Sequence, residues 1–318
     1  MSKPDVLAVA KLHPFYLKAL QSVYAVHERT HLTDPAAFVE LAPRIVGIAA
    51  SGESVVTSEL LAQLPNARVL SVFGVGYDGI DVSAANALGI AVTHTPDVLT
   101  EDVADLALGL LLSVARRIPQ ADSYVRAGRW PEGPVELGQK VSGARLGLVG
   151  LGRIGQAIAR RASAFGMKVA YTARNAKPDS GYDFYPTAAA LAAQVDFLVV
   201  ITPGGASTQH LINADVLAAL GPKAYLINVA RGSVVDETAL VKALQTGQIA
   251  GAALDVFAHE PNVPAELLHL TNVVLTPHMA SATVQTRQAM ADLAFANMQA
   301  GIAGQKLLTP VPECTLGA

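Results

Sequence analysis

One cysteine, Cys314, is all that the 318 residues offer. No disulfide can close within the chain, and a reduced, cytoplasmic setting is expected. Charge is sparse: 23 Lys and Arg stand against 26 Asp and Glu, for a net charge of −3. No basic stripe is left over for a nucleic-acid backbone, so no such partner is expected. Long apolar runs are missing too. The most apolar segment, Leu106 to Val114, lies between Asp105 and Arg116-Arg117 and is too short to span a bilayer. No membrane partner is therefore expected, and Met1-Ser2-Lys3-Pro4-Asp5 lacks a secretory pattern. Repeats and low-complexity tracts are absent, and no metal site is read from the residues.

Hydrophobic residues are plentiful, at 51%. They come in short runs broken by Gly, Pro or charge, and the length suffices for two domains with cores of their own. Surplus apolar surface of this kind suits an oligomer interface, and a homodimer is expected. The only tryptophan, Trp130, sits in a loose Gly/Pro-bearing stretch from Pro119 to Ser142 and reads as a buried anchor of that interface.

Apolar strands alternate with helices through the first hundred residues. Strands are expected at Val6–Val9, Val23–Val26, Ile45–Ala49, Val69–Phe73 and Ile90–Thr93. Helices are expected between them at Ala36–Leu41, Ser58–Leu64 and Val82–Leu88. A long helix, Thr100 to Arg117, carries Thr100 as its cap, Glu101 and Asp102 in its first turn and arginines at its end, matching the helix dipole. Alternation resumes with strands at Leu146–Val149, Lys168–Tyr171, Phe197–Ile201, Tyr225–Val229, Ala252–Val256 and Val273–Leu275. A last helix, Thr283 to Ala300, leads the chain back to the first region. The pattern predicts an α/β fold: two Rossmann-like or flavodoxin-like domains with parallel sheets and an active site in the interdomain cleft. Residues 1–99 with 289–318 would form one domain, and 100–288 the other.

Within the second domain, Gly150-Leu151-Gly152-Arg153-Ile154-Gly155 follows a strand and opens a helix. The first glycine allows a tight turn. The second lets backbone approach a pyrophosphate, and the third lets helix pack on strand, so that helix N–H groups face phosphate. Dinucleotide binding follows. In NAD-binding folds an acid about twenty residues on holds the ribose 2′-hydroxyl. Here that place reads Tyr171-Thr172-Ala173-Arg174-Asn175, with no acid. Arg174 stands where a 2′-phosphate would be, with neutral donors at Thr172 and Asn175, so NADP(H) is expected over NAD(H).

Three further residues each fall just past a predicted strand: Arg231, Glu260 and His278. Ligands bind at that edge of open α/β sheets. Reducing a 2-oxo acid needs a hydride at carbon and a proton on oxygen. A histidine supplies the proton near neutral pH, a carboxylate beside it raises its pKa, and an arginine holds the substrate carboxylate. In the first domain, Phe73-Gly74-Val75-Gly76-Tyr77-Asp78-Gly79 is a glycine-rich turn after a strand. Its N–H groups at Val75 and Gly76 could grip a substrate carboxylate.

The chain resembles the D-isomer-specific 2-hydroxyacid dehydrogenase family over nearly its whole length. The resemblance rests on the glycine motif, Asn228-Val229-Ala230-Arg231-Gly232, Ala253-Leu254-Asp255-Val256-Phe257 with Glu260-Pro261, and Thr276-Pro277-His278. The strand end Tyr171-Thr172-Ala173-Arg174-Asn175 is similar to that of NADPH-preferring glyoxylate/hydroxypyruvate reductases. The resemblance implies His278 as acid/base, Glu260 as its partner and Arg231 as substrate clamp. Cofactor contacts are expected from Gly150, Gly152, Arg153, Ile154, Gly155, Ala173, Arg174, Asn175, Thr202 and Val229. Two more are implied: Asp255 at the nicotinamide carboxamide, and Thr100. It implies reduction to D-hydroxy acids, with domain closure over the site. D-3-phosphoglycerate dehydrogenase, formate dehydrogenase and a dinucleotide-sensing protein are the weaker alternatives. One departure is Ala280-Ser281, where many members carry Gly-Gly or Gly-Ser.

Overall fold

Two parallel sheets organise residues 3–316, the part of the chain described in this computed structural model. The first contains β1 (Asp5–Ala8), β2 (Ala25–Glu28), β3 (Ile45–Ser51), β4 (Val69–Phe73) and β5 (Ala91–Thr93), in the order β2-β1-β3-β4-β5. Strands such as Val69-Leu70-Ser71-Val72-Phe73 are buried throughout. That is why they read as continuous apolar runs rather than as alternating ones.

The second strand begins two residues later than the sequence suggests. Val23 instead ends a helix, Pro14–Val23, which opens with His13 as its cap and Pro14 in its first turn. Tyr16 and Leu20, four residues apart, are its buried stripe, and their packing carries the helix through Val23.

The second sheet contains β6 (Arg145–Val149), β7 (Lys168–Thr172), β8 (Asp183–Phe184), β9 (Phe197–Val200), β10 (Tyr225–Asn228), β11 (Gly251–Leu254) and β12 (Val273–Leu275). Their order is β12-β11-β10-β9-β6-β7-β8. The chain winds outward from β6 to one edge, returns to β9 beside β6, and winds to the other edge. This is the doubly wound arrangement, and its reversal between β6 and β9 marks where ligands bind, outside the carboxyl ends of the strands. The exposed edge strand β8 is two residues long, too short to leave a pattern in the sequence.

The chain divides into two compact units, one running to Leu99 and resuming at Ser281, the other spanning Thr100–Ala280. The return therefore comes at Ser281 and not at 289. The last helix, Val284–Ile302, is continuous and starts at its cap Thr283, whose hydroxyl accepts the Thr286 N–H at 3.2 Å. It belongs whole to the first unit, where Ser71 donates to the Ala294 carbonyl at 2.8 Å.

Thr100 is the first residue of the helix Thr100–Arg116 rather than a cap outside it. Arg161, on the helix Arg153–Ala164, donates to Asp105 at 2.6 Å and to Glu101 at 2.7 Å and ties the two helices together. The stretch after 117 is less loose than its glycines and prolines suggest. Residues Ile118–Arg126 form a helix and Trp130–Glu132 a short turn. Trp130 is 69% exposed in the single chain. No helix among the described residues is long and apolar enough to cross a membrane.

Candidate active site

The glycine turn leaves β6 with Gly150 at φ +109, a value that side chains other than glycine rarely adopt. A Cβ on Gly155 would meet the Gly150 carbonyl, so helix and strand approach as the motif requires. A Cβ on Gly152 would meet nothing within 4 Å. The middle glycine thus faces open space, which is what close approach of a pyrophosphate needs. Gly152 caps the helix Arg153–Ala164 and, having no side chain, supplies no cap hydrogen bond of its own to the first-turn N–H groups. Arg153 and Ile154 begin that helix. These features fit a dinucleotide.

At the end of β7 the side chains are those expected from the sequence. Thr172 is buried, while Arg174 and Asn175 are exposed and Ala173 half-buried. No acid lies there. Arg174 makes no hydrogen bond among the described residues. Lys177 was not expected at this place. Its ammonium donates to the carbonyl of Leu151, inside the glycine turn, at 2.7 Å. Its backbone N–H donates to the buried Tyr171 hydroxyl at 2.5 Å. A second cation is therefore pinned against the motif. On the far side of the sheet reversal, Thr202 is half-buried after β9, and Val229 extends β10 by donating to the Val200 carbonyl at 3.2 Å.

His278 is built into a tight corner. Its backbone sits at φ +49, the left-handed region that a side chain with a Cβ disfavours. The conformation is held by its own N–H, which donates to the Asp255 carbonyl at 2.8 Å. The Asp255 side chain is wholly buried. Its carboxylate accepts from the Thr276 hydroxyl at 2.6 Å, the Met279 N–H at 2.9 Å and the Ala280 N–H at 3.0 Å. Burial pushes the Asp255 carboxyl up, and these bonds and the His278 charge pull the other way without cancelling it. A carboxylate has about four lone-pair sites, so most of them are taken inside the protein. Ala280 is accommodated: it is 9% exposed and its N–H is one of the three donors.

The His278 ring meets a second carboxylate. Its Nδ1 donates to Glu260 Oε2 at 2.7 Å, and Glu260 Oε1 accepts the Phe257 N–H at 2.9 Å. Burial pushes the Glu260 carboxyl up. The hydrogen bonds from His278 and Phe257, with the charges of His278 and Arg231, outweigh it and hold the group below the usual carboxylate range. The bond through Nδ1 fixes the orientation of the ring.

Arg231 follows β10. Asn228, 1% exposed, braces its turn by accepting from the Ala230 N–H and donating to the Arg231 carbonyl, both at 3.0 Å. Gly232 is required next. A Cβ there would overlap the Phe257 backbone carbonyl carbon at 1.9 Å. The close approach of these two turns brings the Arg231 charge within reach of Glu260. So Arg231, Asp255, Glu260 and His278 gather at one sheet edge, that of β10, β11 and β12. The glycine turn, Arg174, Thr202 and Val229 lie along the same edge of the same sheet.

In the first unit, the turn after β4 is pinned from both sides. The Gly74 N–H donates to the Thr95 hydroxyl at 3.1 Å, and the His94 Nδ1–H donates to the Val75 carbonyl at 3.0 Å. The Val75 and Gly76 N–H groups have no acceptor among the described residues. They remain available to an anion.

Comparison with known proteins agrees with this geometry. Residues 108–280 match the family described as "D-isomer specific 2-hydroxyacid dehydrogenase, NAD binding domain". A glyoxylate/hydroxypyruvate reductase A of Arabidopsis thaliana is 51% identical over 267 residues, covering 84% of each chain. A 2-ketogluconate reductase of Gluconobacter oxydans is 45% identical over 310 residues, covering 98% of this chain and 99% of the relative. Among solved structures, an NADPH-dependent glyoxylate/hydroxypyruvate reductase from Sinorhizobium meliloti, crystallised with NADP and malonate, superposes with a TM-score of 0.92. It is 48% identical, and the match covers 100% of this chain and 99% of that one. The doubly wound sheet, the glycine turn and the paired histidine and glutamate therefore belong to an oxidoreductase, and the chain is a member of the D-isomer-specific 2-hydroxyacid dehydrogenase family.

Proposed function

We propose that the protein reduces small 2-oxo acids, such as glyoxylate, hydroxypyruvate and 2-keto sugar acids, to D-2-hydroxy acids at the expense of NADPH. The observation that carries this reading is the 2.7 Å bond between His278 and Glu260 at the strand ends, with Arg231 near enough to depress the Glu260 carboxyl. The named activities of the Arabidopsis, Gluconobacter and Sinorhizobium relatives support it.

A bound nicotinamide dinucleotide supplies the hydride. The protein's own groups do the rest. His278, charged, gives the Nε2 proton to the carbonyl oxygen as that oxygen becomes an alkoxide. Glu260 favours the charged imidazole and fixes which nitrogen faces the substrate. Arg231 binds the substrate carboxylate and polarises the ketone. The Val75 and Gly76 amides are a second grip for that carboxylate. Asp255 keeps its remaining lone pair for the carboxamide, and the glycine turn, Thr100, Thr202 and Val229 line the cofactor's path.

The preference for NADPH rests on the missing acid after β7 and on Arg174, with Thr172 and Asn175 beside it. Ile118, Val125, Trp130 and Leu137, all at least half exposed within twenty residues, support a homodimer built on that segment. Light scattering of the purified protein at twice the monomer mass is the expected result. A cytoplasmic setting is consistent with the free Cys314.

The test is oxidation of NADPH, followed by absorbance, across glyoxylate, hydroxypyruvate, pyruvate, phenylpyruvate and 2-ketogluconate. Turnover of at least one of the first two, with kcat/KM higher for NADPH than for NADH, is expected. A chain that binds NADPH and turns over none of the panel would be a sensor and not a reductase.

A further inference from the structure

The five-stranded sheet has a reversal of its own, between β1 and β3. In sheets of this order the ligand crevice lies outside the carboxyl ends of those two strands. Two donor side chains that no role above uses stand around that edge, His13 from the loop after β1 and Arg287 from the first turn of the last helix. Both bear on Phe73, the residue that opens the Gly74–Gly76 turn. The His13 ring is stacked on the Phe73 ring, with centroids 5.5 Å apart and planes within 8°. Tyr16 stacks on the same ring at 5.8 Å. The Arg287 guanidinium lies 5.7 Å from the Phe73 centroid. Three neighbours thus fix the phenyl ring, and through it His13 and Arg287 are fixed beside the turn whose amides are open to an anion.

The state of His13 follows from its contacts. Its Nδ1 accepts the Phe15 N–H at 3.3 Å, capping the helix Pro14–Val23. An accepting Nδ1 leaves the ring proton on Nε2. Partial burial, and secondarily the Arg287 charge, disfavour the imidazolium. His13 is therefore a neutral ring with an Nε2–H donor, and that atom has no acceptor among the described residues. A neutral donor beside a guanidinium suits uncharged oxygens better than an anion, for which a second positive charge would serve.

We infer that His13 and Arg287 form the subsite that takes the hydroxylated tail of the longer 2-keto sugar acids proposed above. The inference deepens the reductase reading and rests on it. The carboxylate end of the substrate takes the Val75 and Gly76 amides. Carbons beyond C3 run along the edge toward Phe73, where Arg287 and the His13 Nε2–H donate to their hydroxyl oxygens.

The experiment compares kcat and KM for glyoxylate, hydroxypyruvate, 2-ketogluconate and oxaloacetate, with saturating NADPH, in the wild type and three variants. Arg287→Met keeps length and removes charge. Arg287→Lys keeps charge. His13→Phe keeps the ring stack and removes the donor. In Arg287→Met, kcat/KM for 2-ketogluconate should fall about 10-fold or more relative to that for glyoxylate, mostly through KM, as expected for losing a bond from a charged donor. In His13→Phe the relative fall should be about 3- to 10-fold, and Arg287→Lys should recover part of the loss. Thermal unfolding of each variant, read alongside, reports any loss of fold. Equal losses on glyoxylate and 2-ketogluconate would make both residues structural and overturn the inference. So would a wild type that reduces glyoxylate but not 2-ketogluconate, or one that prefers oxaloacetate, with its charged tail. A wild type inactive on every 2-oxo acid would instead defeat the reductase reading itself and the inference with it.

Discussion

At the ends of β11 and β12, His278 is held by its backbone, its ring and the loop around it: the Asp255 carboxylate accepts three donors and the Glu260 carboxylate takes the ring. At the end of β7, on the same edge of the same sheet, Arg174 is exposed and has no hydrogen-bond partner among the described residues. The contrast follows from the two tasks. Proton transfer requires one atom in one place, and the left-handed backbone of His278 is a strain of about 1–3 kcal/mol that persists because the surroundings over-determine it. Recognition of a phosphate requires charge within reach, and a long cation can order itself when the ligand arrives. On the proposed mechanism, firmly held groups do the chemistry and an exposed one chooses the cofactor.

Substitutions at the two ends should therefore differ in kind and in size. The largest effect is expected from His278→Ala, with kcat reduced about 10²- to 10⁴-fold and KM for the cofactor nearly unchanged. A kcat near that of the wild type would remove His278 from the mechanism. Arg174→Ala should act the other way round. Its dissociation constant for NADP⁺, measured by calorimetry, should rise by the equivalent of about 1.5–3 kcal/mol, while that for NAD⁺ stays put. Equal weakening for both nucleotides would place Arg174 outside the 2′-phosphate site. Lys177→Met is expected to be milder, a weakening of about 3- to 10-fold for NADP⁺, because the ammonium already spends one hydrogen bond on Leu151. An effect larger than that of Arg174→Ala would reverse the ranking and make the pinned cation the principal reader.

The sequence showed the chemistry of the rigid end better than its mechanics. Strand ends marked Arg231, Glu260 and His278, because a parallel strand is a short apolar run and the residues just beyond it lie at the ligand edge. Asp255 was expected at the carboxamide, yet most of its lone pairs brace the histidine loop, a task set by contacts between turns 21 to 25 residues apart. Gly232 looked like part of a motif, and only the fold shows the Phe257 backbone lying where its Cβ would be. At the end of β7 the missing acid was legible, since absence of charge is a one-residue observation. Lys177 was not, since its bond to Leu151 depends on how the loop after β7 folds back over the glycine turn. The start of β2 at Ala25 and the return to the first unit at Ser281 were misplaced by a few residues. At the first, burial of Tyr16 and Leu20 carries the preceding helix through Val23; at the second, the last helix starts whole at its cap Thr283 and packs in the first unit.

The pairing of His278 with Glu260 also has a signature in stability. The Glu260 carboxyl is held below its ordinary value, so its contribution is present above the unfolded-state pKa and is lost as pH falls through the folded one. Glu260→Gln should accordingly lower the melting temperature near neutral pH, by a margin that shrinks as the solution is acidified through the carboxylate range. A margin independent of pH would mean that the carboxylate is not preferentially stabilised in the fold.

The most direct test of the central claim, that Glu260 keeps His278 charged so that it can protonate the substrate oxygen, is the pH dependence of kcat/KM for 2-oxo acid reduction in the wild type and in Glu260→Gln. Activity should fall on the alkaline side as His278 loses its proton, with that limb displaced to lower pH in the variant. Superimposable alkaline limbs in the two proteins would contradict it.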